Sequence, residues 1–134
     1  MSENNQMQHK YMEFQMLMQQ LQQLEQNSEN IEKHINDLMK LNENLDVISN
    51  TKKDTESLIP LGNGIFLKGS LNDNQSVVMN VGSNLCVEKS LHEAKQTVNI
   101  QMQEVSDFMI QLKTEINNTR NKLMQLQKEI QGMN

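Results

Sequence analysis

The sequence has no tryptophan, one tyrosine and three phenylalanines in 134 residues. Aromatic rings supply much of the buried area of a small core, so a compact globular core is disfavoured and an elongated helical protein fits better. Its single cysteine, Cys86, cannot close an internal disulfide and has no CxxC or Cys/His partner at metal-ligand spacing. It reads as a small buried apolar residue. There is no apolar run of about 18 residues, and the start, Met1-Ser2-Glu3-Asn4-Asn5-Gln6, is neither basic nor apolar; neither a membrane span nor a signal peptide is expected, and the expected location is the cytoplasm. Positive charge is scarce as well. Twelve basic residues against 17 acidic ones leave a net charge of −5, which argues against nucleic acid and other acidic partners.

The chemistry of catalysis is also missing. No Gly-rich phosphate loop or nucleophile motif occurs, and His9, His34 and His92 lie far apart in the chain. Each reads as a solvated helix residue, and Glu25, Glu29 and Glu32 read as a solvated helix face. No enzyme activity, cofactor or metal site is expected.

What is abundant is amide and thioether. Glutamine and asparagine fill 34 positions, and methionine 11. Read in sevens, the first third places Phe14, Leu21, Ser28, Ile35 and Asn42 at one position and Leu17, Leu24, Ile31, Leu38 and Leu45 at another. Eight of these ten are apolar, and the sustained 3.5-residue spacing predicts a supercoiling helix over about residues 5 to 50. The last third repeats the pattern with Met102, Met109, Ile116, Leu123 and Ile130, interleaved with Val98, Val105, Leu112, Thr119, Leu126 and Met133. Ser90-Leu91-His92-Glu93 has the form of a capping box, so this helix is expected from Leu91 to about Gln131, with Gly132 as its stop.

Residues 57 to 88 lose the helical period. Short strand-like runs, Leu58 to Leu61, Ile65 to Leu71, Ser76 to Val81 and Leu85 to Glu88, are separated by Gly62-Asn63-Gly64, Asn72-Asp73-Asn74-Gln75 and Gly82-Ser83-Asn84. Those residue types tolerate positive φ and close hairpins, and the pattern fits either a four-stranded meander or two successive hairpins. Period-two counting puts Ile65, Leu67, Leu71, Val77, Met79, Val81, Leu85 and Val87 on one face, and Ile59, Phe66, Val78 and Cys86 on the other.

The expected organisation is therefore α+β: a long antiparallel two-helix coiled coil with two β-hairpins inserted between the helices. Residues 1–50 form the first helix, 51–90 the linker and β region, and 91–134 the second helix. At 1.5 Å per residue each arm would reach roughly 60–65 Å. Pairing residue 50 with about residue 91 sets Ser28 near Leu112 and residue 22 near Thr119. A β unit this small cannot bury enough area alone and leaves strand edges open, so it is expected to be an assembly module. The assembly candidates are Ile59, Leu61, Ile65, Phe66, Leu67 and Leu71, with Val77, Val78, Met79, Val81, Leu85 and Val87. At the opposite tip, Met12, Met16 and Met124 face outward and Met18 flanks the seam, with Met7 and Tyr11 nearby. Unbranched thioethers adapt to varied apolar partners, so this tip is a candidate binding surface.

Two stretches carry a resemblance. Leu58-Ile59-Pro60-Leu61-Gly62-Asn63-Gly64-Ile65-Phe66-Leu67-Lys68-Gly69 and Val81-Gly82-Ser83-Asn84-Leu85-Cys86-Val87-Glu88-Lys89-Ser90-Leu91-His92-Glu93-Ala94 resemble the signature stretches of the alpha class of prefoldin. Asn84 stands where glycine is expected and Leu85 where an aromatic is expected. The resemblance implies a hexamer of two alpha and four beta subunits, with a β-platform formed by oligomerisation. It further implies an ATP-independent chaperone that captures unfolded proteins at its coiled-coil tips and hands them to a group II chaperonin. Carried onto this chain, the client-contacting candidates are Met7, Tyr11, Met12, Phe14, Met16, Met18, Leu123, Met124, Ile130 and Met133. Glu25, Glu29 and Glu32 would alternatively steer or repel a charged chaperonin rim. The competing expectation is a structural or adaptor coiled coil, including a filament-forming prefoldin-like subunit.

Overall fold

A computed structural model describes residues 2–133, and the side chains of residues 3–132. The element order is α1 (Ser2–Ser49), β1 (Glu56–Gly62), β2 (Ile65–Ser70), β3 (Ser76–Gly82), β4 (Leu85–Ser90) and α2 (Leu91–Met133). α1 contains no glycine or proline and is rich in Leu, Met, Gln, Glu and Lys, residues that lose little freedom in a helix. Gly132, expected to stop α2, lies inside it. A glycine near the last turn weakens a helix without ending it.

The described residues fall into two compact units, 2–35 with 104–133 and Asn36–Gln103. In the first unit the seam is the one the heptads predict. Leu112, Ile116, Thr119, Leu123, Leu126 and Ile130 of α2 are buried. Phe14, Leu17, Leu21, Leu24, Ser28, Ile31 and Ile35 of α1 are half-buried. The antiparallel register is marked by Lys10 to Glu129 at 3.3 Å and Arg120 to Glu25 at 2.8 Å. Ser28 donates its hydroxyl proton to the Met109 sulfur at 3.7 Å, one turn from the Leu112 pairing expected. Glu25, expected to be merely solvated, thus has a cross-helix partner.

In the second unit Leu38 and Leu45 of α1 are buried, as are Leu91, Ala94 and Val98 of α2. Leu91 and Ala94 extend the seam beyond the heptads read from Val98. Lys95 pairs with Asp46 between the helices. The two hairpins are separate two-stranded sheets, β1 with β2 and β3 with β4; of the two arrangements expected, the meander is not formed. The hairpins repeat at an offset of 20 residues, pairing Glu56 with Ser70 and Ser76 with Ser90, and ending on Gly62 with Ile65 and Gly82 with Leu85. Each carries a one-residue register shift before its turn, at Leu61 and at Val81. Ile59 sits opposite Leu67, so it shares a face with Leu67 and not with Phe66, correcting the face expected for it. Carried unbroken from the Gly62–Ile65 pair at the turn, the register would set Ile59 opposite Lys68, on the face of Phe66; the extra residue, Leu61, shifts it by one and sets Ile59 opposite Leu67.

The turns follow from their residues. Asn63 and Gly64 have φ of 50° and 80°, and Ser83 and Asn84 have φ of 50° and 61°. Two consecutive positive φ values make the type I′ turn that matches strand twist, and Asn84 adopts it in place of the expected glycine. The segment between the hairpins is pinned by Asp73, whose carboxylate accepts from the Gln75 amide at 2.8 Å and from the Ser76 hydroxyl at 2.5 Å. These bonds, the Ser76 hydroxyl foremost, hold the Asp73 carboxyl below its ordinary pKa. β4 passes into α2 without a linker. There the Ser90 hydroxyl accepts from the Glu93 amide at 3.1 Å, forming that half of the predicted capping box.

Candidate functional site

Two exposed apolar surfaces stand out, one in each unit. The first lies where the early turns of α1 meet the late turns of α2. Met12 is 62% exposed, Met16 69% and Met124 59%, with Met18 and Tyr11 also exposed. Met12 and Met16, four apart, share one helix face; Tyr11 and Met18, seven apart, share another. Tyr11 and Phe14 join Gln127, Ile130 and Gln131 in lining a shallow groove. Met7 is half-buried.

Exposure divides the residues expected at this surface. Leu123 is buried in the seam and is not part of the exposed surface. Ile130 is buried as well but forms part of the groove floor with half-buried Phe14. The side chain of Met133 lies outside the described residues.

The second surface is the pair of hairpins. Leu58, Ile59, Leu61, Ile65, Phe66 and Leu67 of the first hairpin are all exposed, as are Val78, Val81, Leu85 and Val87 of the second. Leu71, Val77 and Met79 are half-buried. Cys86, expected to be buried, is exposed; among the described residues of its unit, its sheet has only the two strands β3 and β4. Two-stranded hairpins with apolar side chains on both faces are marginal in water, so a covering partner would stabilise them.

Sequence reasoning passed over Met39, Leu41, Val47 and Ile100 in the second unit and Phe108 and Ile110 in the first, all exposed. Each stands off the heptad seam, and single outward apolar residues carry no period to reveal them. Among the described residues no group of three or more His, Cys, Asp or Glu side chains is placed to hold a metal ion. No helix among them is long and apolar enough to cross a membrane.

Comparison with known proteins places this architecture. The sequence model described as "Prefoldin subunit" matches residues 17–134. The chain is 27% identical over 128 residues to a protein named prefoldin subunit alpha from Methanococcus aeolicus, a match covering 96% of this chain and 87% of that one. A protein of the same name from Thermococcus onnurineus is 35% identical over 92 residues, covering 68% of this chain and 63% of the relative. Among solved structures, the cryo-EM structure of filamentous prefoldin from Methanocaldococcus jannaschii superposes with a TM-score of 0.75 at 19% identity, covering 86% of this chain and 95% of that one. The match across most of the chain and the helix–two hairpins–helix order agree: the chain belongs to the prefoldin family, in its alpha-subunit class.

Proposed function

We propose that the chain is a subunit of an ATP-independent cytoplasmic chaperone, assembled as two copies with four beta-type subunits, which captures unfolded proteins and passes them to a group II chaperonin. The hairpins supply the assembly surface through Ile59, Leu61, Ile65, Phe66, Leu67 and Leu71 and through Val77, Val78, Met79, Val81, Leu85 and Val87. The observation that carries the capture reading is the exposed set Met12, Met16, Met18 and Met124 beside the Tyr11 and Phe14 groove. Flexible thioethers fill irregular apolar surfaces without demanding one shape. Each would contribute on the order of 1 kcal/mol on partial burial, weak singly and adequate when several arms engage one client.

The test is the suppression of a denatured protein's aggregation by the assembled complex. Replacing Met12, Met16, Met18 and Met124 together by Gln is expected to weaken suppression severalfold while leaving the complex mass unchanged. Unchanged suppression would contradict the capture reading. The filamentous state of the solved neighbour favours a second reading, in which the same hairpins build open-ended polymers and the apolar end serves no client.

A further inference from the structure

The methionines differ in how exposed they are to solvent. Met12, Met16, Met18 and Met124 are 62, 69, 48 and 59% exposed, all within the unit that brings the start of α1 to the end of α2. Met102 and Met109 are half-buried along the seam, and the Met109 sulfur also receives the Ser28 hydroxyl. Met39, in the other unit, is exposed at 47% and is not one of the candidate capture residues.

We propose that Met12, Met16, Met18 and Met124 form an oxidation-responsive surface, on which peroxide converts the thioethers to sulfoxides ahead of the seam methionines and thereby switches off apolar capture. The sulfur lone pair attacks one peroxide oxygen and the O–O bond breaks. A sulfur–oxygen bond forms, sulfur loses two electrons, and the other oxygen leaves as water after proton transfer. The reverse step consumes a dithiol: a methionine sulfoxide reductase returns the thioether, and two thiols become a disulfide with release of water. A sulfoxide is polar and a strong hydrogen-bond acceptor, so it retains water where the thioether would release it. At the seam the half-buried methionines offer peroxide less accessible surface, which slows the same reaction. The exposed surface is thus where oxidation has both the easiest access and the largest consequence. The switching half of this proposal rests on the capture reading; the order of oxidation does not.

The experiment exposes the full chain to increasing hydrogen peroxide, applies dithiothreitol to reverse thiol oxidation at Cys86, which leaves sulfoxides in place, and then assembles the treated chain with an untreated beta-type prefoldin subunit. Peptide mass spectrometry gives the oxidation of each methionine, and suppression of citrate synthase aggregation gives capture. Sulfoxide is expected at the four positions at roughly fivefold lower peroxide than at Met102 and Met109. Capture is expected to fall by about threefold in step with them, and to return after treatment with both stereospecific reductases. In a variant carrying Met12→Leu, Met16→Leu, Met18→Leu and Met124→Leu, the ratio of treated to untreated capture is expected to stay near unity, although Met39 still oxidises. Oxidation of the seam methionines first, or an equal fall in the Leu variant, overturns the proposal. Undiminished capture with all four positions oxidised overturns the switch alone. An assembled complex of the untreated chain that suppresses no aggregation overturns the capture reading and the switch with it, while the order of oxidation is still read from the peptides.

Discussion

Leu126 and Met124 stand two positions apart on α2 and do opposite work. Leu126 is 6% exposed and Met124 59%, a difference set by which side of a 3.5-residue repeat each occupies. Truncation separates them by the surface each loses. Leu126→Ala removes methyl groups from the seam and leaves a void, which is expected to cost about 2–4 kcal/mol. Met124→Ala removes atoms that water already touches and is expected to change stability by less than about 0.5 kcal/mol. Urea unfolding followed by circular dichroism measures both. At this scale the seam was almost fully legible: every heptad position named on α2 from Val98 to Ile130 is buried or half-buried. Ala94 was missed because a small side chain next to a capping turn adds little to a hydrophobic repeat, and Leu91, seven residues before Val98, was read as the first residue of the helix and not as part of its seam. The outward residues Ile100, Phe108 and Ile110 were missed for the complementary reason, having no repeat to join.

The elements read from the chain with one ambiguity and two misplacements. Turn residues identified both hairpins, since Gly62-Asn63-Gly64 and Gly82-Ser83-Asn84 supply consecutive positive φ values. Alternation along a strand says which side chains share a face but nothing about whether β2 hydrogen-bonds to β3, so meander and paired hairpins stayed equivalent. Ile59 was assigned to the wrong face because a bulge is one residue long and leaves only a weak mark in composition. Gly132 was read as a stop from residue type alone, and the helix tolerates it. The bulge glycines are the elements' sharpest requirement. Gly62 and Gly82 have φ of 123° and 119°, and nothing lies within 4 Å of where a Cβ would stand at either. Space permits a side chain there and the backbone does not. Gly62→Ala and Gly82→Ala are each expected to destabilise their own hairpin by about 1–3 kcal/mol through φ strain. Amide exchange should quicken in the mutated hairpin and stay unchanged in the other, whereas exchange quickening equally in both would count against two independent sheets.

For the molecule as a whole, the hairpins describe a subunit in need of others. Ten large apolar side chains on four short strands face water, and among the described residues of their unit each sheet has only two strands. Such strands gain stability when partners pair their edges and cover their faces. The surface on unit 1 differs in kind. It is built from unbranched thioethers on helices already stabilised by their seam, so its own fold does not require a covering partner, which suits the proposed capture role. This division of exposed apolar area, one part for permanent partners and one for transient ones, is the centre of the account. The composition that first excluded an ordinary core is consistent with it, because a two-helix seam is filled by Leu, Ile, Val and Met without bulky rings. Native mass spectrometry of the chain mixed with a beta-type prefoldin subunit tests it most directly. The account predicts a single closed species of two copies of this chain with four of the partner, lost on deletion of residues 62 to 88. A ladder of open-ended polymers, or a closed species that survives the deletion, would contradict it.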